Sequence, residues 1–282
     1  MPGKGKEGQP DSKSPGTPDQ KNLYTKILEE LFREKFDPSH PEVRFSRDDI
    51  VAVAHRLGLP RPKNIGDLPY TFRYRQDFPT SLVEKAPPGT SWVFWPAGRS
   101  KYRLAPARSP DFIPSNQLVE TKVPNSTPGI IAMYSRSDEQ ALLARLRYNR
   151  LIDIFTGVTT YSLQSHWRTA VEEFGQLETD ELYVGIDKRG AQFIFPVQAK
   201  GRGDTLNVVQ VAQDFEACRE NFPNLVCRPI GAQFMEEDLI ALFEFEGGGI
   251  EFRVANERHY RLVPPNQVSD EDLAAYRSRP RD

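Results

Sequence analysis

Apolar positions along the chain follow two periods, and the changes of period mark out the elements. From Lys21 onward, Leu23, Ile27, Leu28, Leu31 and Phe32 recur at helical spacing until Asp37-Pro38 ends the run. Ser46-Arg47-Asp48-Asp49 reads as a helix cap, and Ile50, Val53, Ala54 and Leu57 follow it before Gly58 and Pro60. A third, shorter helix is predicted from Asp67, with Leu68 and Pro69 in its first turn and Tyr70, Phe72, Arg73, Tyr74 and Arg75 along it. Then Ser91 to Trp95 and Ser100 to Leu104 flank the turn Pro96-Ala97-Gly98-Arg99, which predicts a β-hairpin.

Residues 106–135 interrupt the pattern. Pro106, Pro110, Pro114, Pro124 and Pro128 stand among Ser, Asn and Thr, so this stretch is predicted to be an interdomain linker with one short strand at 117–123. Helical spacing resumes after Ser137-Asp138-Glu139-Gln140, a capping box followed by Leu142, Leu143, Leu146, Leu151, Ile152 and Phe155. One helix of about five turns is expected there. Tyr161 to Val171 alternates, with Tyr161, Leu163, Trp167 and Val171 on one face and Gln164, His166 and Arg168 on the other. Leu206 to Phe222 predicts an amphipathic helix, Leu225 to Ile230 a strand, and 239–245 with 250–254 a hairpin around Gly247-Gly248-Gly249.

Between these lies the most informative stretch, 176–200. Two segments rich in β-branched and aromatic residues flank Asp187-Lys188-Arg189-Gly190, which predicts two strands joined by a tight turn. By strand parity Asp180 shares a face with Leu182, Val184 and Ile186, where a carboxylate requires a partner. On the second strand Gln198 and Lys200 share a face. An acid, an amide and an ammonium are thus expected to converge at adjacent strand ends.

Composition narrows the partners. A chain of 282 residues divides into a tail at 1–20, a first domain at 21–105, the linker at 106–135, a second domain at 136–265 and a polar C-terminal tail at 266–282 with a short helix at 270–276. A net charge of −2 and a pI near 6.2 exclude a globally basic nucleic-acid coat, so DNA contact would rest on local clusters. The two cysteines, Cys218 and Cys227, are expected to be reduced thiols. With no apolar run of bilayer length and no secretory segment, the expectation is a cytoplasmic protein without membrane contact.

Two resemblances follow. Three helices and a basic, aromatic hairpin resemble a winged helix. That resemblance implies major-groove contact by Arg73 and Arg75 and backbone contact by Arg99, Lys101 and Arg103. The order helix, three strands, helix, strand over 137–230 resembles the PD-(D/E)xK, or restriction endonuclease-like, nucleases: an α/β fold with a mixed sheet flanked by helices. In that family a helix acid, a strand acid and an acid-x-Lys motif build a Mg²⁺ site. Position by position the resemblance implies Glu139, Asp180 and Gln198-Ala199-Lys200, with Gln198 standing where the family usually has Asp or Glu.

It further implies Mg²⁺, or Mn²⁺ in its place, held by Asp180, Glu139, the Gln198 amide oxygen and the Ala199 carbonyl, with Lys200 acting on the attacking water. The expected function is a metal-dependent DNA endonuclease acting on double-stranded DNA in restriction or phage defence, with a homodimer to cut both strands. The alternative is a DNA-binding regulator that keeps the nuclease fold without activity. Glu178 and Glu181 are the rival acids, since a one-residue change of register exchanges them with Asp180. His166 and Arg168 are candidate DNA contacts, and Gln210 and Gln213 are weaker candidates on the following helix.

Overall fold

A computed structural model describes residues 18–62, 64–134 and 139–279. The expected N-terminal tail therefore lies outside the described residues up to residue 17, and so do Ser137 and Asp138 of the expected capping box. Among the described residues no helix is long and apolar enough to cross a membrane.

The first half forms α1 (Pro18–Lys35), β1 (Val43–Ser46), α2 (Arg47–Arg56), α3 (Asp67–Tyr74), α4 (Thr80–Val83), β2 (Ser91–Pro96) and β3 (Lys101–Ala107). The predicted cap is present: the Ser46 side chain accepts from the Asp49 N–H, and the Asp49 carboxylate accepts from the Ser46 N–H. The three strands form a sheet in the order β1-β3-β2. Its core joins the apolar stripe of α1 (Ile27, Leu28, Leu31, Phe32) to Val43, Ile50, Leu68, Phe72, Trp92, Phe94 and Leu104.

The expected linker does not run free. It supplies β4 (Asp111–Phe112), β5 (Glu120–Pro124) and α5 (Gly129–Tyr134). After them come α6 (Glu139–Tyr148), α7 (Leu151–Thr156), β6 (Thr159–Val171), β7 (Gly175–Ile186), β8 (Gln192–Lys200), β9 (Leu206–Asn207) and α8 (Val208–Asn221). The chain closes with β10 (Val226–Cys227), β11 (Ile230–Phe234), β12 (Leu239–Glu246), β13 (Arg253–Val263) and α9 (Asp270–Ser278).

One mixed sheet organises this half in the order β5-β13-β12-β11-β8-β7-β6, with β10 alongside β8. β6, β7 and β8 are antiparallel neighbours, and α8 then carries the chain across so that β11 runs parallel to β8. The expected linker strand is parallel to β13 at the sheet edge, and β4 pairs with β9. The expected tail also docks, because α9 places the Tyr276 hydroxyl 2.9 Å from the Lys122 N–H and Asp272 2.9 Å from the Lys122 ammonium.

Three expectations require correction in detail. The single five-turn helix is two helices: Arg150 takes a left-handed conformation (φ 52°), and the Asn149 side chain leaves the helical pattern to bond Ser126 and Thr127. Tyr161 and Leu163 are exposed although they share parity with buried Trp167 and Val171, and a bulge between Ser162 and Gln164 leaves Leu163 without a partner in the ladder. The last hairpin strand begins at Arg253 and extends to Val263, well beyond its predicted end.

Both faces of the large sheet are covered. One packs on α6 and α7 through Leu142, Leu146, Ile152, Phe195, Val197 and Ala199. The other packs on α8. There Val208, Val209 and Val211 meet Phe243 and Phe245 together with Val93, Trp95 and Ala107 of the first half. The two halves therefore share a core. At the hairpin tip the Gly98 N–H donates to the Glu173 carbonyl at 2.9 Å and the Trp95 indole donates to the Glu173 carboxylate at 3.0 Å.

Candidate functional site

The site is built where β7 leaves β8. Ladder pairing between them runs from Ile186↔Gln192 to Glu181↔Val197 and ends there. On its other side the register pairs Ser165 with Glu181 and Trp167 with Thr179, passing over His166 and Asp180 between them. His166 has a φ of 49°, left-handed backbone that a residue with a Cβ rarely adopts. Strand parity breaks at this crease. Thr179 and Leu182, an odd number of residues apart, both reach the α8 side, which a regular strand forbids. The expectation that Asp180 simply continues the Leu182, Val184 and Ile186 face is corrected accordingly.

At the crease the Asp180 carboxylate takes the place of a ladder acceptor: its Oδ2 accepts from the Ala199 N–H at 2.7 Å. Burial pushes Asp180 up to about 6, against the downward pull of that hydrogen bond and of the Lys200 charge, while nearby Glu139 pushes it further up. Lys200 Nζ lies 3.6 Å from Glu139 Oε1. Asp180, Glu139 and Lys200, expected from three different elements, thus come together at the open end of β7 and β8.

Gln198 is drawn elsewhere. It is buried on the α8 side, where its Nε2 donates to Asp214 Oδ2 at 2.8 Å and to the Glu178 carbonyl at 3.3 Å. Thr179 donates its hydroxyl to the other Asp214 oxygen at 2.8 Å. Asp214 is fully buried on α8, and burial pushes it up to about 7 in spite of these two hydrogen bonds, with the Asp180 charge adding to the rise. Sequence reasoning missed Asp214. The signal was available, because it sits on the apolar stripe of α8 with Val211, Ala217 and Cys218, where a carboxylate is anomalous.

The rival acids have other partners. Glu181 is fully buried and held by Arg147 Nη2 at 2.7 Å from each oxygen, with Ser162 Oγ donating at 2.5 Å. Although its burial raises it, Glu178 is held below the ordinary carboxylate range by hydrogen bonds from Arg168 and His166. His166 Nδ1 lies 2.8 Å from Glu178 and its Nε2 lies 3.0 Å from Gln140 Nε2. A carboxylate only accepts and an amide nitrogen only donates, so the proton belongs on Nδ1. Arg168 is largely exposed apart from its Glu178 contact. Gln210 closes the α8 capping box with Asn207, and Gln213 is half-buried on the same helix.

The basic residues of the first half divide. Arg73 turns inward and donates to the Phe94 carbonyl at 2.7 Å, a position from which it braces α3 on β2. Arg75 stacks over Tyr70 at 4.8 Å. Arg103 donates to Glu42 at 2.6 Å and lies over Trp95 at 5.3 Å. Arg99 and Lys101 are exposed at the hairpin, whose tip rests on the β6–β7 turn.

As a cation site, the donor set is sparse. Among the described residues no three His, Cys, Asp or Glu side chains are grouped to hold a metal ion. Asp180 and Glu139 supply two carboxylates, a number that suffices for Mg²⁺ when waters and substrate oxygens complete its shell. Gln198 brings no charge, and its amide nitrogen faces Asp214. The chain matches no known protein family, no curated protein and no solved structure.

Proposed function

We propose that this chain is a metal-dependent DNA endonuclease with a restriction endonuclease-like second half and a winged-helix-like first half. The observation that carries the reading is the convergence of Asp180, Glu139 and Lys200 on a unit of helix, three antiparallel strands, crossover helix and parallel strand. The alternation of α1, β1, α2, α3, β2 and β3, with a β1-β3-β2 sheet, supports the winged-helix assignment.

Asp180 and Glu139 would hold a divalent cation, which would supply charge neutralisation at the phosphate and a more acidic water. The chain's own residues supply the remainder. Burial keeps Asp180 short of compensating charge, which favours binding of a cation beside it. Lys200, tethered by Glu139, can orient a water and offset a phosphoryl oxygen. The Ala199 N–H fixes the Asp180 carboxylate so that it does not reorganise during the reaction. Exposed Arg99 and Lys101 are candidates for phosphate contact, whereas Arg73 is committed to the fold. Cutting both strands calls for two sites, which a homodimer supplies.

A second reading, a DNA-binding regulator without activity, is favoured by one observation: Gln198 is neutral and directed toward Asp214. Incubating plasmid with the protein and Mg²⁺ or Mn²⁺, beside Asp180→Ala and Lys200→Ala, separates the two. Metal-dependent conversion to nicked or linear DNA, reduced about 100-fold or more in both variants, supports the endonuclease. DNA binding without cleavage supports the regulator.

A further inference from the structure

Asp214 is a buried ionisable group that the endonuclease reading does not use, and its hydrogen bonds define the state of its neighbour. Asp214 has two donors, the Thr179 hydroxyl and the Gln198 amide nitrogen, both at 2.8 Å. The same amide nitrogen also faces the Glu178 carbonyl. A carbonyl oxygen only accepts and an ionised carboxylate only accepts, so the group facing both must be the NH₂. Both N–H bonds of Gln198 are consumed in this way. What residue 198 retains uncommitted by these two bonds is its amide oxygen.

We infer that Asp214 is a positioning residue that fixes the flip of the Gln198 amide, so that residue 198 offers the Asp180–Lys200 site an acceptor and never a donor. The inference rests on the endonuclease reading for its consequence, because an acceptor can serve a cation or a cation-bound water where an amide N–H would repel either. It explains how a neutral residue occupies the place of an acid: the charge sits one layer deeper, on α8, and determines which end of the amide is presented. An uncharged partner at 214 would lose this control. An asparagine there can face Gln198 with either its oxygen or its nitrogen, and the second choice flips the amide.

The test uses the full chain and two variants. Asp214→Asn is nearly isosteric. The exchange Gln198→Glu with Asp214→Asn restores a fixed polarity, since the amide introduced on α8 must then donate to the carboxylate introduced on β8. The side-chain NH₂ signal of Gln198, assigned by its loss in the exchange variant, is followed by ¹⁵N NMR. Its hydrogen exchange should be slow in the natural chain and about tenfold faster or more in Asp214→Asn, as expected for losing a hydrogen bond to a charged group. Plasmid cleavage with Mg²⁺ should fall by about tenfold or more in Asp214→Asn through kcat with KM unchanged, and should recover in the exchange variant. Unchanged NH₂ exchange in Asp214→Asn overturns the positioning role. Unchanged cleavage by Asp214→Asn, where the natural chain cuts, overturns its consequence for the reaction. If the natural chain cuts no DNA, the endonuclease reading fails and the NMR result alone decides the amide orientation.

Discussion

Asp180 and Glu181 are neighbours on β7, both carboxylates taken out of water, and they are treated in opposite ways. Glu181 is fully buried and met by a bidentate guanidinium and a hydroxyl, so its charge is compensated within the fold. Asp180 receives one backbone N–H, and the ammonium nearby is also engaged by Glu139. Burial wins there and pushes Asp180 up to about 6, while fully buried Asp214 behind it reaches about 7. A strand stabilised for its own sake would resemble the Glu181 side. Carboxylates left short of compensating charge on the other side are the basis for proposing that a cation binds there.

Removing the compensation at Glu181 should have the largest effect. Arg147→Ala leaves a fully buried carboxylate without its guanidinium, and a loss of about 3–5 kcal/mol is expected in thermal or denaturant unfolding. A loss below about 1 kcal/mol would erase the contrast with Asp180.

The opposite sign is expected on the other side. For a carboxylate whose folded pKa is raised, the folded state holds its proton more tightly, so stability is fully present below the unfolded pKa and is lost as pH rises through the folded value. For Asp214 and Asp180 that window runs from about 4 to about 7 and from about 4 to about 6, respectively. Asp180→Asn should therefore raise stability at pH 8, by up to roughly 3 kcal/mol, and the gain should vanish near pH 4. Melting curves across this range check it, and destabilisation by that variant at pH 8 would contradict the account. Glu178 supplies the smallest effect. It is partly exposed and its ion pairs with Arg168 and His166 are open to solvent, so Arg168→Ala should change stability by less than about 1 kcal/mol.

Local signals in the chain were sufficient for much of this. The α1 stripe, the Ser46 cap, α3, the first hairpin and the strand pair around 187–190 follow from spacing and turn chemistry that neighbouring residues decide among themselves. The order Glu139, Asp180, Lys200 was legible for the same reason. What was not legible depends on residues far apart in sequence. The short strand expected at 117–123 reads as part of a linker until β13 is there to pair with Glu120 to Pro124. Arg73 looks like a recognition residue until the Phe94 carbonyl is placed beside it. The parity of β7 is regular on paper, and the crease appears only where His166 takes a left-handed backbone and drops out of the ladder together with Asp180. Beneath that crease α8 engages the Gln198 amide nitrogen through Asp214, a partner 16 residues away in sequence.

Whether a cation completes Asp180 is decided by the melting temperatures of the natural chain and of Asp180→Asn over a Mg²⁺ titration at pH 8. Ligand that binds the folded state raises its stability with concentration. The account predicts that the natural chain melts at rising temperature as Mg²⁺ is added, while Asp180→Asn starts higher and does not respond. Equal responses of the two proteins, or a natural chain indifferent to Mg²⁺ and Mn²⁺ alike, would contradict it.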